Sequence, residues 1–142
     1  MLNIKIETHN KKFIYEIDNN KGVIIYKSGI STKEGYNSIV TGRDICSGVI
    51  TPDDKYLYAL SIYNNCIYCY SINQLSGYLM SMSPATHTVG NNIHRLKISK
   101  SGFYLCACDE SLPRVFSINL TNGSLTLYTT EMGLKILNEE IF

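Results

Sequence analysis

The chain has 142 residues and a formal net charge of +1 at pH 7, with 11 tyrosines, 4 phenylalanines and no tryptophan. A chain of this length suits one domain with a sizeable core. A net charge so close to zero gives no electrostatic reason to expect nucleic acid or an acidic membrane surface as a partner. Abundant aromatic and β-branched residues favour an all-β fold.

Alternating polarity and turn residues predict eleven short strands. In chain order these cover residues 2–6, 13–17, 23–26, 48–50, 56–60, 66–72, 78–82, 93–98, 104–108, 115–118 and 125–128. The polar stretches 30–42 and 84–92 are predicted as loops. Residues 131–142 fit either one more strand over 134–137 or a short helix.

The amino-terminal residues alternate in polarity instead of forming an apolar run. Leu2, Ile4 and Ile6 are separated by polar residues, which indicates a strand and not a signal peptide. No segment is apolar over the ~20 residues that a membrane helix needs. The sequence therefore predicts a cytoplasmic protein with no membrane partner.

Two stretches of the chain repeat one pattern. Residues 51–79 read TPDDKYLYALSIYNNCIYCYSINQLSGYL, and residues 99–125 read SKSGFYLCACDESLPRVFSINLTNGSL. Each copy has a turn, a strand that begins Tyr-Leu, a strand that ends Ser-Ile-Asn, and a hairpin turn closed by Gly77 or Gly123. A repeat of roughly 40–50 residues built from short strands is typical of a β-propeller blade.

A third, partial copy opens the chain. Residues 13–24 match residues 114–125, with Gly22 opposite Gly123. On this alignment the chain begins at the second strand of a blade, so its first unit lacks an inner strand and has an open edge. The predicted domain is one partial propeller. It consists of an incomplete blade over 1–28, blades over 46–82 and 93–128, and a tail over 131–142 that can supply a strand to complete a blade.

The cysteines number five, at positions 46, 66, 69, 106 and 108. An odd count fits reduced thiols in an intracellular compartment. Cys66 and Cys69 have CxxC spacing, but residues three apart on a strand lie on opposite faces. Cys106 and Cys108 share a face, yet no histidine or second cysteine pair stands at metal-ligand spacing. We therefore expect buried thiols, no metal and no cofactor.

The repeat resembles two successive blades of the lactonase-type β-propeller family, which includes propeller 6-phosphogluconolactonases and fungal muconate-lactonizing enzymes. Blades of that family carry a (S/T)PDGRxLY turn and strand, a VFxI third strand and a TGxL hairpin. Here these motifs stand as TPDDKYLY, RVFSI and TNGSL. The match is good over about residues 46–128 and loose over 1–27. It implies an all-β, partial β-propeller of roughly three four-stranded antiparallel blades at ~40–50 residues each.

The resemblance also implies where a site would lie, namely at the funnel mouth, where loops lead into the inner strands. The family's GxxPR frame falls on residues 90–94, which puts His94 at the arginine position with Arg95 beside it. An acidic position of the preceding inner strand falls on Ser47. His94 and Arg95 are thus the candidate catalytic residues, and Arg43 and Ser47 the candidate substrate-binding residues.

Lactone hydrolysis needs an activated water and a stabilised oxyanion. His94 can act as the base, and Arg95 or Arg43 can bind a phosphate or carboxylate. No second member of a catalytic set is visible in the sequence, so a histidine at a strand end and solvated arginines are the conservative interpretation. Whether the chain is an enzyme stays open at this point.

Two further polar features fall in turns. His9 has no partner in the sequence, and the pair Asp53–Asp54 lies where aspartate is expected for backbone reasons.

Two functions compete, because propellers ordinarily have 4–8 blades and about three do not close a ring. In the first, a completed ring hydrolyses a sugar lactone. In the second, the chain is a non-catalytic propeller module for self-assembly or protein binding. The expected partner is a second copy, giving a homo-oligomer, or the rest of a larger propeller, with a small lactone or sugar as ligand. In a homo-oligomer, the tail of one copy would complete the first blade of another by β-augmentation.

Overall fold

The structure is a computed structural model, which describes residues 4–18, 23–26, 38–40, 45–90, 93–108 and 113–142. In this part of the chain, twelve strands form three antiparallel four-stranded sheets, each in chain order. The all-β partial propeller predicted from the repeat is confirmed. The strands are β1 Ile4–Glu7, β2 Ile14–Asp18, β3 Val23–Tyr26, β4 Ser38–Val40, β5 Ile45–Ile50, β6 Tyr56–Ser61, β7 Cys66–Ile72, β8 Leu79–Thr88, β9 Arg95–Ile98, β10 Tyr104–Cys108, β11 Arg114–Ile118 and β12 Leu125–Leu127, followed by helix α1, Thr130–Glu139.

Each sheet is one blade: blade 1 is β1–β4, blade 2 is β5–β8 and blade 3 is β9–β12. The first strands of the blades lie side by side, as the inner strands of a propeller do. Gly48 on β5 lies so close to Ile6 on β1 that any side chain there would overlap it. On the other side of β5, the Ser47 hydroxyl accepts a hydrogen bond from the Leu96 N–H of β9 at 3.0 Å.

The three inner strands end in the same turn, at residues 8–13, 51–56 and 99–104. In each turn the first residue donates its N–H to the carbonyl of the sixth, at 3.0, 3.0 and 2.9 Å respectively. The fourth residue of each turn has a positive φ; these residues are Lys11 (65°), Asp54 (62°) and Gly102 (81°). The identical hydrogen bonds show that β1 is equivalent to β5 and β9.

The predicted incomplete first blade is therefore wrong. Blade 1 has all four strands, and residues 13–18 form its second strand instead of its third. The alignment matched Gly22 to Gly123, and Gly22 lies outside the described residues. The register is instead set by a hydroxyl residue followed five positions later by an aromatic residue, as in Thr8 and Phe13.

The tail is helical, so of the two alternatives predicted for residues 131–142 the short helix is the observed one. Helix α1 begins after Thr129, whose hydroxyl accepts the N–H of Met132 at 3.3 Å and caps the helix. Glu131 in the first turn suits the positive end of the helix dipole. Residues 131–142 thus provide no strand for another copy, and blade 1 does not need one.

Both predicted long loops contain strand. β4 lies within residues 30–42, and β8 continues through Pro84. β8 is the outermost strand of its sheet, and its pairing with β7 shifts between Tyr68 and Tyr70. Proline is tolerated at such an edge and bulge, because no partner strand needs its missing N–H.

The core consists of layers between the blades. Residues of β2 and β3 pack against β6 and β7, and residues of the opposite faces of β6 and β7 pack against β10 and β11. Burial of each large apolar side chain stabilises the fold by about 1.5–3 kcal/mol. A third layer lies between the far face of blade 3 and α1, where Val115 and Ile136 are buried together. The helix therefore lies where a following blade would pack.

Candidate functional site

The structure brings together three of the four predicted site residues at one end of the inner strands. We call this the funnel end, where residues 93–95 lead into β9. Ser47 accepts the Leu96 N–H, and the Cys46 thiol donates to the His94 carbonyl at 3.3 Å. These bonds fix the backbone beneath His94 and Arg95. Arg43 lies outside the described residues.

The side chains of His94 and Arg95 are both exposed. Within the described part of the chain, neither makes a side-chain hydrogen bond or ion pair. The Ser47 hydroxyl is engaged by backbone of the neighbouring blade and serves as a structural contact. The arrangement can present an imidazole and a guanidinium to a ligand, but it holds no pre-formed nucleophile–base pair among the described residues.

Arg114 is a further basic residue at the funnel end that sequence reasoning missed. It begins β11, and its guanidinium lies against Gly90 in the segment leading into β9. A Cβ at Gly90 would come within 2.8 Å of the Arg114 Nη2 atom, so a larger residue there would displace the guanidinium. The sequence does contain a signal for Arg114, because this residue begins the third strand of its blade. In a propeller blade the third strand begins at the same end as the first strand.

At the opposite end of the blades, Asp54 joins blade 2 to blade 1. Its carboxylate accepts the N–H of His9 at 2.7 Å, the N–H of Asn10 at 2.9 Å, and lies 2.8 Å from Nδ1 of the His9 ring. Burial raises the pKa of Asp54, but these hydrogen bonds and the His9 charge outweigh it, so the net pKa is lowered. The expectation that His9 lacks a partner is wrong, because the contact joins residues far apart in the sequence.

A cavity of about 410 Å³ lies at this second end. Its lining consists of His9, Ile50, Pro52, Ile98, Ser99 and Lys100. Ile98 ends β9 whereas His94 precedes it, so the cavity is separate from the predicted site. The Asp54 carboxylate, which contacts His9 of this lining, already accepts hydrogen bonds from two N–H groups of blade 1. Its role is therefore mainly structural.

The described residues include no group of three or more histidine, cysteine or acidic side chains that could hold a metal ion. No helix there is long and apolar enough to cross a membrane. None of the five cysteines is in a disulfide.

Comparison with solved structures finds propellers. A "putative 6-phosphogluconolactonase" from Bacteroides uniformis superposes with a TM-score of 0.77 at 24% identity, over 89% of this chain and 38% of that one. The periplasmic gluconolactonase of Pseudomonas aeruginosa superposes with a TM-score of 0.74 at 13% identity, over 89% of this chain and 38% of that one. The Cps50 (Swd1) β-propeller domain of Myceliophteria thermophila superposes with a TM-score of 0.59 at 15% identity, over 86% of this chain and 40% of that one. No family model matches the sequence, and no curated protein matches it.

These similarities confirm the predicted fold, that of part of a β-propeller. At such identities they establish the fold alone. The chain spans less than two fifths of the length of the two lactonase structures, at 38% of each.

Proposed function

We propose that the chain forms the funnel end of a lactonase-type propeller and acts there on a sugar lactone. The observation that carries this proposal is the exposure of His94 and Arg95 at the entry to β9, on a fold shared with a gluconolactonase. This is the position that the family resemblance implies for a site.

In this proposal His94 activates the water that attacks the lactone carbonyl. Arg95, with Arg114 and Arg43, binds the acidic group of the substrate or the developing oxyanion. Ser47 holds β9 against β5 and thereby positions His94, since its hydroxyl is used by the Leu96 N–H. The odd number of thiols supports a reducing, cytoplasmic location.

The test is hydrolysis of 6-phosphogluconolactone and of gluconolactone, followed as acid release above the spontaneous rate. We expect His94→Ala to lower kcat by about 10²–10⁴-fold, as loss of a general base does. Arg95→Ala is expected to raise KM more for the phosphorylated substrate than for gluconolactone. Lys97→Ala is the matched control, because Lys97 is an exposed cation further along β9.

A wild-type chain that hydrolyses neither lactone faster than buffer would rule out this activity for the chain by itself. Undiminished turnover by His94→Ala would remove His94 from the mechanism.

The second candidate is a non-catalytic propeller module that binds another protein or a second copy. Helix α1 favours it, because a following blade cannot pack on blade 3 while Ile136 is buried there. The proposed partners are a homo-oligomer or the rest of a larger propeller, joined through another surface. The solution mass, measured by light scattering with and without residues 130–142, tests this. A complex that forms both with and without these residues would support assembly through another surface, and a monomer in both cases would contradict self-assembly.

A further inference from the structure

Two thiols lie in contact beneath helix α1. Cys106 and Cys108 lie on the same face of β10, and the Cys108 thiol donates to the Cys106 sulfur at a Sγ–Sγ distance of 3.1 Å. Alternation along a strand places residues two apart on one face, and here the side chains also point towards each other.

The pair belongs to the layer that holds α1 on blade 3. Cys106 is 1% exposed and packs with Val115 and Ile136. Cys108 is half-buried at the margin of this layer, and is thus the more accessible residue of the pair. The contact of Gly133 with Val115, where an added Cβ would be 3.2 Å from Val115 Cγ2, shows how closely helix and sheet approach.

The same chain contains a contrasting pair. Cys69 packs towards blade 3, whereas Cys66 has the strand parity of Tyr68, whose side chain packs towards blade 1. Burial, with a smaller contribution from Cys66, raises the pKa of Cys69 to about 12. CxxC spacing on a strand therefore separates its thiols, and CxC spacing joins them.

We propose that Cys106 and Cys108 form a peroxide-oxidisable dithiol, and that closing their disulfide loosens α1 from blade 3. The Cys108 thiolate attacks one oxygen of hydrogen peroxide, which gives a sulfenic acid and releases water once protonated. The Cys106 sulfur then attacks the Cys108 sulfur, the S–O bond breaks, and a second water leaves. Both thiol protons end in water, two thiols are oxidised by two electrons, and the peroxide is reduced.

Closure disturbs the helix because an extended strand does not fit a disulfide. Side chains two apart on a strand stand side by side, so their Cβ atoms, like their Cα atoms, are about 6.6 Å apart at a rise of ~3.3 Å per residue. A disulfide needs Cβ atoms about 3.5–4.5 Å apart. Bond formation therefore bends β10 and draws Cys106 away from Val115 and Ile136. A disulfide strained in this way is readily reduced, so the change is reversible.

The experiment treats the full chain with hydrogen peroxide and combines mass spectrometry with limited trypsin digestion. We expect a loss of about 2 Da, mapped to the peptide that contains both thiols and reversed by dithiothreitol. Cleavage after Lys135, the basic residue within α1, should accelerate about tenfold on oxidation, as local opening of the helix becomes more populated.

Cys108→Ser is the test variant, because Cys108 is half-buried and its replacement spares the buried Cys106. It should lose both the mass change and the accelerated cleavage. Cys66→Ser should lose neither. Oxidation of Met132 adds about 16 Da and is not reversed by dithiothreitol, which separates it from the thiol chemistry.

Three results would overturn the proposal. If peroxide adds only oxygen to the thiols, or if the 2 Da loss persists in Cys108→Ser, the pair is not the oxidised site. If the disulfide forms but cleavage after Lys135 keeps its rate, the dithiol does not control the helix.

Discussion

The two junctions between blades share one contact and differ in another. In both, a tyrosine of the second strand crosses to the hairpin turn of the next blade. Tyr15 donates to the Gly77 carbonyl, and Tyr58 donates to the Gly123 carbonyl at 2.6 Å. Blade 3 has Cys106 at the equivalent position, beneath α1 instead of a further blade. The tyrosine contact is thus present where one blade packs on another, and absent where blade 3 packs on the helix.

The turns at the second end differ. In the first junction Asp54 accepts two N–H groups of the blade 1 turn, one of them from His9. In the second junction the equivalents are Gly102 and Pro52, which lie in direct contact. Proline has no N–H to offer, so an aspartate at position 102 would lose one of its donors. Two blades can therefore stack with different residues in their turns, provided that a carboxylate acceptor in one turn is matched by N–H donors in the other.

The largest expected effect comes from the shared tyrosine contact. Tyr58→Ala and Tyr15→Ala should each lower the free energy of unfolding by about 3–5 kcal/mol, because a fully buried ring is lost. Tyr→Phe at either position isolates the hydrogen bond and should cost about 1–3 kcal/mol. Urea unfolding measures both. Similar costs at the two junctions are expected, and a cost at only one of them would show that the junctions are not equivalent.

Loss of the Asp54 contact should affect one junction alone. Asp54→Asn removes the charge that His9 and Asn10 bind, and should cost about 1.5–3 kcal/mol, as hydrogen bonds to a charged group do. Asp53→Asn is the matched control, since the Asp53 carboxylate accepts its hydrogen bonds from Thr51 and Lys55 within its own turn. An equal effect of the two variants would contradict a specific role for Asp54.

The same carboxylate predicts an acid dependence. Because the pKa of Asp54 is lower in the folded chain than in the unfolded chain, its ionised form favours folding above about pH 4. That stabilisation is lost as the pH falls through the folded pKa. Urea midpoints between pH 6 and pH 3 should decline more steeply for the wild-type chain than for Asp54→Asn. Parallel declines would assign the acid sensitivity to other carboxylates.

The smallest effect on the free energy of unfolding is expected when the Asp54–His9 contact is rebuilt at the equivalent positions 102 and 52 of the second junction. Gly102→Asp alone is unfavourable, because φ is 81° and Pro52 lies 3.2 Å from an added Cβ. Pro52→His restores a donor. The double variant should therefore be more stable than the sum of the single variants, by about 0.5–1 kcal/mol. An additive result would show that the pair does not reproduce the Asp54 contact.

The repeat predicted blades 2 and 3 well, because each carries the turn, the Tyr-Leu strand and the hairpin glycine in register. It misplaced blade 1, where Phe13 stands in the Tyr56 position but the strand lacks the Tyr-Leu pair. The helix had a usable signal in Thr129 and Glu131, a cap and an acidic first turn. The Asp54–His9 contact had none, since it depends on how one turn stacks on the next.

Of the candidate site, the sequence predicted the positions of His94 and Arg95 but not the engagement of Ser47. A hydroxyl on an inner strand can face a ligand or a neighbouring strand, and only the stacking of β5 on β9 decides. Arg114 was missed for the same reason, because its proximity to Gly90 joins two loops of different strands.

Helix α1 covers the far face of a complete third blade, and methyl-resolved NMR of the 16.0 kDa chain tests this packing. The structure predicts nuclear Overhauser effects between the methyl groups of Ile136 and Val115, and helical chemical shifts over Thr130–Glu139. Random-coil shifts in that segment, with no Ile136–Val115 effect, would contradict the claim.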